Sequence, residues 1–216
     1  MKKSTQDSAT SQLDVTDPNA ILTLFKSDRK TLNERDSHFL NQTRYKTGKH
    51  PSGVEWTDFT CSDAGYGVGD GNTICEGKFV RRGLPQLASK LTIPKDKHIE
   101  LIKFTKTNGD CCMFSYLQDH DLYLIATRNI SILVKDLDDM ANIESKNYTH
   151  KNLAKLWFGH LEKLNRAATV QLKKELSGNT WVGEYLTEDN LIRYSDEHIL
   201  FHSIVNNSNG SIKADA

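Results

Sequence analysis

The residues of this chain whose types and spacing could do covalent chemistry are Lys106, Asn108 and Gly109. They lie in Phe104-Thr105-Lys106-Thr107-Asn108-Gly109-Asp110, which leads into Cys111-Cys112-Met113-Phe114-Ser115-Tyr116-Leu117. A lysine amine attacks only when deprotonated, so partial burial or neighbouring cations must lower its pKa. Lys106 stands between two apolar, strand-like runs that would present it rather than leave it solvated, and Lys103 is close enough in sequence to supply a cationic field. Gly109 would let backbone approach a bulky ligand closely, and the Asn108 side chain offers both a donor and an acceptor. The same Asn-Gly pair is also the strongest short signal for a β-hairpin turn, a reading that carries no chemistry.

Other groups fit around such a centre. In Phe79-Val80-Arg81-Arg82-Gly83-Leu84-Pro85 the Arg82 guanidinium, always charged and donating in a fixed fork, suits a phosphate or a ribose. Lys90 is a further candidate for phosphate, with Lys95 and Lys97 competing for the role. Arg128, in Arg128-Asn129-Ile130-Ser131, keeps a positive charge suited to phosphate or RNA. Glu184, in Trp181-Val182-Gly183-Glu184-Tyr185, could hold a ribose hydroxyl or a magnesium-bound water, and Phe201 offers a flat apolar face to a purine. Three tempting features read otherwise. The run from Gly65 to Gly71 has no strand leading into it and no Lys-Ser or Lys-Thr after it, so it reads as a connector, not a phosphate loop. Asp119, His120 and Asp121 read as a solvated hairpin tip, and His160 as a packed core histidine.

The elements that must position these groups are a mixture of short strands and helices. Residues 1–18, rich in Ser, Thr, Gln and Asp, read as a disordered lead, with Asp17 capping a helix that Pro18 begins. Ile99 to Phe104, Cys111 to Leu117, Leu122 to Thr127, Thr180 to Leu186 and Ile199 to Val205 read as strands. Helical periodicity runs through Leu153, Leu156, Trp157, Leu161 and Leu164, and a second helix is expected from Ala167 to Leu176. Residues 19–205 are the expected domain and 206–216 a polar tail. Formal net charge is zero over 216 residues, so nucleic-acid binding would need local basic patches. No apolar run is long enough to span a bilayer, no apolar core follows the charged start, and no Cys-x-x-Cys or His-x-x-x-His spacing suggests zinc. The four cysteines therefore read as reduced thiols, and the expected location is cytoplasmic or nuclear with no membrane partner.

Lys106-x-Asn108-Gly109 resembles motif I of the covalent nucleotidyltransferases, the superfamily of ATP-dependent ligases and capping enzymes, and its Asn resembles the fungal-type tRNA-splicing ligases and phage-type RNA ligases. Arg82-Gly83-Leu84 is similar to the upstream Ala-Arg-Gly-Leu-Phe of that family, with Pro85 replacing the aromatic. Gly183-Glu184-Tyr185 resembles motif III, and Ile199-Leu200-Phe201-His202-Ser203-Ile204-Val205 resembles motif IIIa. The resemblance covers Val54 to Val205 and implies an α+β, ATP-grasp-like ligase domain, with antiparallel sheets around a nucleotide cleft and a helical insertion at Thr149–Leu176. It implies ATP and Mg2+ as cofactors and Lys106 as the nucleophile that carries AMP. Arg82, Gly83, Asn108, Gly109, Glu184 and Phe201 are implied nucleotide contacts, Glu184 also a magnesium contact, and Lys90 and Arg128 substrate contacts. The implied partner is RNA with 5′-phosphate and 3′-hydroxyl ends, such as tRNA halves. The family's motif IV (Glu-Gly-x-Val) and motif V (Lys-x-Lys) have no counterpart here, so the expected domain is incomplete at its C-terminal side. The alternative expectation is an inactive module that binds nucleotide or RNA ends.

Overall fold

Two antiparallel sheets carry the described part of the chain. The computed structural model describes residues 13–85, 108–142, 148–190 and 194–214; Lys90, Lys95, Lys97, Lys106 and the expected strand from Ile99 to Phe104 lie outside them. After α1 (Pro18–Lys26) and α2 (Glu34–Gln42) come β1 (Thr43–Lys49), β2 (Glu55–Cys61), β3 (Asn72–Cys75) and β4 (Lys78–Arg81), which form the first sheet in that order. The second sheet contains β5 (Asp110–Leu117), β6 (Leu122–Thr127) and β7 (Ser131–Val134). Helices α3 (Leu137–Asn142), α4 (Tyr148–Leu161) and α5 (Arg166–Leu176) follow. Then β8 (Asn179–Leu186), β9 (His198–Asn206) and β10 (Ile212–Ala214) complete the sheet, in the order β10-β9-β8-β5-β6-β7.

Alternation along the strands divides the apolar side chains among three interfaces. Ile21, Leu24, Phe39 and Leu40 of α1 and α2 pack on Phe59, Cys61 and Ile74 at the outer face of the first sheet. The inner faces of the two sheets meet through Val54, Trp56 and Cys75 against Met113, Leu117, Leu124, Val182 and Val205. On the far side of the second sheet, Cys112, Phe114, Tyr116, Tyr123 and Ile125 pack on Leu153, Trp157, Phe158 and Leu176 of the second helical layer. The result is helix, sheet, sheet, helix. The alternation expected along β5 is the one found, with Cys112, Phe114 and Tyr116 on the helical side and Cys111 and Met113 between the sheets.

The mixed α+β class, the antiparallel pairing and the helical segment between β7 and β8 agree with expectation. Asp17 caps α1 through its side chain, with Pro18 in the first turn. Other expectations are corrected. Residues 206–214 are not a loose tail: Asn206 accepts from the backbone of Ser208 and Asn209, Gly210 turns at φ 73°, and β10 returns to pair with Ser203–Val205. Asn207, 5% exposed, is part of the packed fold. His160 is exposed rather than core-packed; the buried histidine of α4 is His150, which donates from Nε2 to the Ile130 carbonyl at 3.0 Å. No helix of the described residues is long and apolar enough to cross a membrane.

Candidate functional site

The site is best built from the start of β5. Asp110 pairs with Tyr185 and Cys111 with Glu184, so the chain leaving Asn108 and Gly109 runs directly beside the Gly183-Glu184-Tyr185 segment. This close approach needs a glycine. A Cβ on Gly109 would lie 2.6 Å from both the Leu186 side chain and the Tyr185 carbonyl oxygen, and 3.0 Å from Glu184 Cβ. Gly109 does not adopt the left-handed conformation that a two-residue Asn-Gly hairpin of type I′ requires. The pair thus serves close approach rather than that turn.

Residues directly opposite each other in a ladder share a face, so Glu184 and Cys111 both point into the space between the sheets. Burial and then the Glu184 carboxylate push the Cys111 thiol up to about 11, while the fields of Arg81 and Arg128 act in the other direction. Among the described residues, these two cations and Asp70 are the further charges that act on Cys111 beside Glu184. Arg128, at the turn between β6 and β7, reaches Asp70 at 2.7 Å.

Beneath them lies a polar network that inspection of the sequence did not single out. β4 carries a bulge: Phe79 pairs with Ile74 and Arg81 with Thr73, leaving Val80 as the extra residue. That slip turns Arg81 inward, where it is 0% exposed. Its guanidinium donates to Asp58 Oδ1 at 3.2 Å, Thr73 Oγ1 at 2.8 Å, the Thr127 carbonyl at 2.7 Å and the Asn72 carbonyl at 3.2 Å. Asp58 in turn accepts from Ser131 N and Oγ at 2.8 and 2.6 Å, Thr73 Oγ1 at 2.6 Å and Trp56 Nε1 at 3.2 Å. Burial pulls the Arg81 pKa down, and the Asp58 carboxylate opposes that pull. A buried pair with this many hydrogen bonds to both sheets locks them in one register.

The remaining sequence-predicted residues are placed as follows. The Arg82 backbone N–H donates to Thr180 Oγ1 of β8 at 3.1 Å. Its Nε donates to the Asn207 carbonyl at 2.7 Å, and the guanidinium covers the Phe79 ring at 3.7 Å from the centroid. Arg82 thus ties β4 to β8 and to the β9–β10 turn. Gly83 packs against the glycine-rich connector, where a Cβ would collide with the Asp70 carbonyl oxygen, and Asp70 N donates to the Leu84 carbonyl at 2.9 Å. Phe201 pairs with Gly183 and lies on the helical face among Phe114, Trp157 and Trp181. Glu184 and Phe201 therefore face opposite sides of the second sheet, and one small ligand cannot rest on both. Lys90 and Lys106 lie outside the described residues. Of the expected solvated tip only Asp119 is exposed: His120 meets Glu76 at 3.0 Å, and Asp121 accepts from Tyr116 and Lys173. No group of three His, Cys, Asp or Glu that could hold a metal ion is found among the described residues.

A second constellation also has the residue types of a catalytic relay. Ser52 Oγ lies 2.7 Å from His50 Nδ1, and His50 Nε2 lies 2.9 Å from Asp139 Oδ2. Here Nδ1 also accepts the Ser52 backbone N–H at 3.1 Å, and Asp139 accepts from Lys135 N at 2.8 Å. The imidazole closes the β1–β2 turn and anchors it to α3, which is a structural task. Compared with protein-family models and with curated protein sequences, the chain matches no family model and no curated protein.

Proposed function

We propose that this chain is the nucleotidyltransferase part of an ATP-dependent RNA ligase. One observation carries the reading: the segments bearing Asn108-Gly109 and Gly183-Glu184, some 70 residues apart in sequence, are adjacent strands that touch at Gly109, with Arg82-Gly83 joined to the same strand β8 through Thr180. Three short signals that only their order connects in the sequence are thus neighbours in the fold.

In this reading the Lys106 amine attacks the α-phosphorus of ATP, a nitrogen–phosphorus bond forms, and pyrophosphate leaves. AMP then passes to an RNA 5′-phosphate, and a 3′-hydroxyl displaces AMP to join the strands. Asn108 and Glu184 hold the nucleoside, and Arg128 with Asp70 flanks the phosphate side. Arg81, buried and held by Asp58, Thr73 and two backbone carbonyls, lends its field from below without touching the ligand. Mg2+ usually keeps several waters and binds through one or two carboxylates and the substrate phosphates. Glu184 as a single protein carboxylate suits that pattern, and the ion would neutralise charge on the departing pyrophosphate. Phe201 supports β8 from behind instead of stacking on a base at Glu184.

The test is incubation of the protein with ATP, Mg2+ and a 5′-phosphorylated RNA. Accumulation of 5′-adenylylated RNA or joined product, abolished in Lys106→Ala, is expected. Equal product from Lys106→Ala would overturn the assignment.

A further inference from the structure

The outer edge of the first sheet carries a charge that the neutral composition conceals. β1 ends the order of its sheet, and the last turn of α1 with the turn Arg29–Thr31 lies alongside it. Two contacts fix that placement: Tyr45 Oη donates to the Phe25 carbonyl at 3.1 Å, and Arg29 donates to Asn41 Oδ1 at 3.4 Å. Formal net charge is zero over the chain, yet this edge gathers Lys26, Arg29, Lys30, Arg44, Lys46 and Lys49, all exposed, against two carboxylates, Asp28 and Glu55. Both carboxylates are already engaged. Asp28 accepts from Lys30 N at 3.0 Å, and a hydrogen bond from Lys49, then the charges of Lys49 and Lys26, hold the Glu55 carboxyl below its usual value. Lys26, Arg29, Lys30, Arg44 and Lys46 form no salt bridge among the described residues.

Charge on an edge strand is by itself a guard against edge-to-edge pairing. Arg44 and Lys46 alone would say no more than that. What goes further is an aromatic ring set among the cations. Tyr45 is 45% exposed, and its ring lies flat on Phe25 with 4.2 Å between centroids and 4° between planes. The hydroxyl bond to the Phe25 carbonyl holds the ring in that position. A flat ring that is held still and left exposed is a stacking surface. Tyr45 shares the α1 side of the strand with Phe59, its partner across the ladder, whereas Arg44 and Lys46 point to the other side. There Lys46 lies across from Asp58, which accepts from Ser131 N, three residues after Arg128. β1 is thus one strand removed from the turn that bears Arg128. The partner that fits is a polyanion with flat rings, phosphates for the cations and a base for Tyr45. Positive charge that tracks a backbone, joined to aromatic stacking, is how single-stranded nucleic acid is held without reading its sequence. An acidic peptide or an anionic lipid surface meets the charge but leaves the ring without a stacking partner.

We propose that β1 and the end of α1 form the surface that holds a single-stranded RNA outside the nucleotide site, with a base stacked on Tyr45 and phosphates on Arg44 and Lys46. The choice of RNA rests on the RNA-ligase reading; the charge and the ring are properties of the edge itself. The 5′-phosphate then lies toward Arg128 and the following nucleotides on β1. Base stacking on aromatic side chains is tolerant of sequence, so little preference among bases is expected.

The experiment measures binding of a fluorescent 5′-phosphorylated ten-nucleotide RNA without ATP over a range of salt, with adenylate adduct formation followed separately on each variant. Tyr45→Leu keeps an apolar cover on Phe25 but removes the ring, and Tyr45→Phe keeps the ring as a control. Arg44→Ser with Lys46→Ser removes two exposed charges from the edge. The expected result is a loss of RNA affinity of about 5- to 100-fold in Tyr45→Leu and near wild-type binding in Tyr45→Phe, with circular dichroism unchanged. The double variant should bind more weakly, and its slope of log affinity against log salt should be shallower by about 0.7 for each phosphate no longer neutralised. A loss confined to the double variant, with a polyglutamate peptide or phosphatidylserine vesicles bound as tightly as RNA, would assign the edge to another class of anion and overturn the RNA assignment. RNA binding untouched by every variant, or no RNA binding by the wild-type protein, would overturn the inference. An adduct that still forms in that case leaves the ligase reading standing. Conversely, RNA binding that depends on β1 without any adduct would sink the ligase reading and keep the edge.

Discussion

At the scale of single residues, the fold depends on charges held between the sheets. Asp58 and Arg81 are both essentially buried, with side chains 3% and 0% exposed. Removing the carboxylate leaves a guanidinium without its counter-charge, so Asp58→Ala should cost about 3–5 kcal/mol of stability. Urea unfolding measures it, and a loss under about 1 kcal/mol would show that the pair does not lock the sheets. Glu184 offers a test with two readouts. Its carboxylate, after burial, raises the Cys111 thiol to about 11, so Glu184→Gln should lower that pKa and speed Cys111 alkylation at alkaline pH. The same variant should slow adenylate transfer by about 100-fold if Glu184 holds the nucleotide, as loss of one preorganised polar group commonly does. Alkylation that changes while transfer does not would leave Glu184 as a neighbour of Cys111 and no more. Arg82 and Arg81 show what was hidden at this scale. Strict alternation from Phe79 puts Arg81 on the outer face. A single extra residue, Val80, reverses that, and bulges leave no mark in a pattern of residue types.

Among the elements, close approach matters more than propensity. Gly83 lies against the Asp70 carbonyl with no room for a Cβ, so Gly83→Ala should push the connector away from residues 82–84 and lower both stability and nucleotide binding. Limited proteolysis between Gly65 and Gly71 should then accelerate, and an unchanged cleavage pattern would mean that this packing is not what orders the connector. Helix α5 is held at two points. Asn165 caps it by accepting from Ala168 N at 2.9 Å, and Lys173 reaches across to Asp121 at 2.6 Å. Loss of the cap in Asn165→Ala should cost about 1 kcal/mol, read as a lower urea midpoint. Much at this scale was legible. The strands β5, β6, β8 and β9 and the helices α1, α4 and α5 follow from apolar period and the Asp17-Pro18 start. The strands β1 and β3 were not. Thr43–Lys49 is polar and largely exposed along an edge, and Asn72–Cys75 is too short to show a period. The β9–β10 hairpin was hidden because a run of Asn, Ser and Gly looks like a tail until Asn206 is seen accepting from the turn it closes.

For the molecule as a whole, the buried thiols set the response to alkali. Burial raises Cys75 and Cys111 to about 11 and Cys112 well above its ordinary value of 9.0. A thiol whose pKa is higher folded than unfolded releases its proton more readily from the unfolded chain. Stability is therefore full below pH 9 and falls as pH rises from 9 toward 11. Lys173 acts in the same direction at higher pH. Burial works against its ammonium, yet hydrogen bonds to Asp121 and Tyr116 raise it to about 12, so its contribution is lost as pH climbs through that value. Urea midpoints that stay level between pH 9 and 11 would contradict the burial of these groups. The order of the segments Arg82-Gly83, Lys106-x-Asn108-Gly109 and Gly183-Glu184-Tyr185, on which the proposed function rests, is visible in the sequence because each is local. Which of their side chains share a face is not, since that depends on pairing between strands some 70 residues apart. Phe201 illustrates the difference: its type suits a base, and its register with Gly183 turns it to the helices. The central claim remains that Lys106 becomes covalently adenylylated. Intact-protein mass spectrometry after incubation with ATP and Mg2+, followed by peptide mapping, tests it most directly. A mass increase of one AMP, located on Lys106 and absent from Lys106→Ala, is expected. An unmodified protein, or an adduct that persists in Lys106→Ala, would contradict it.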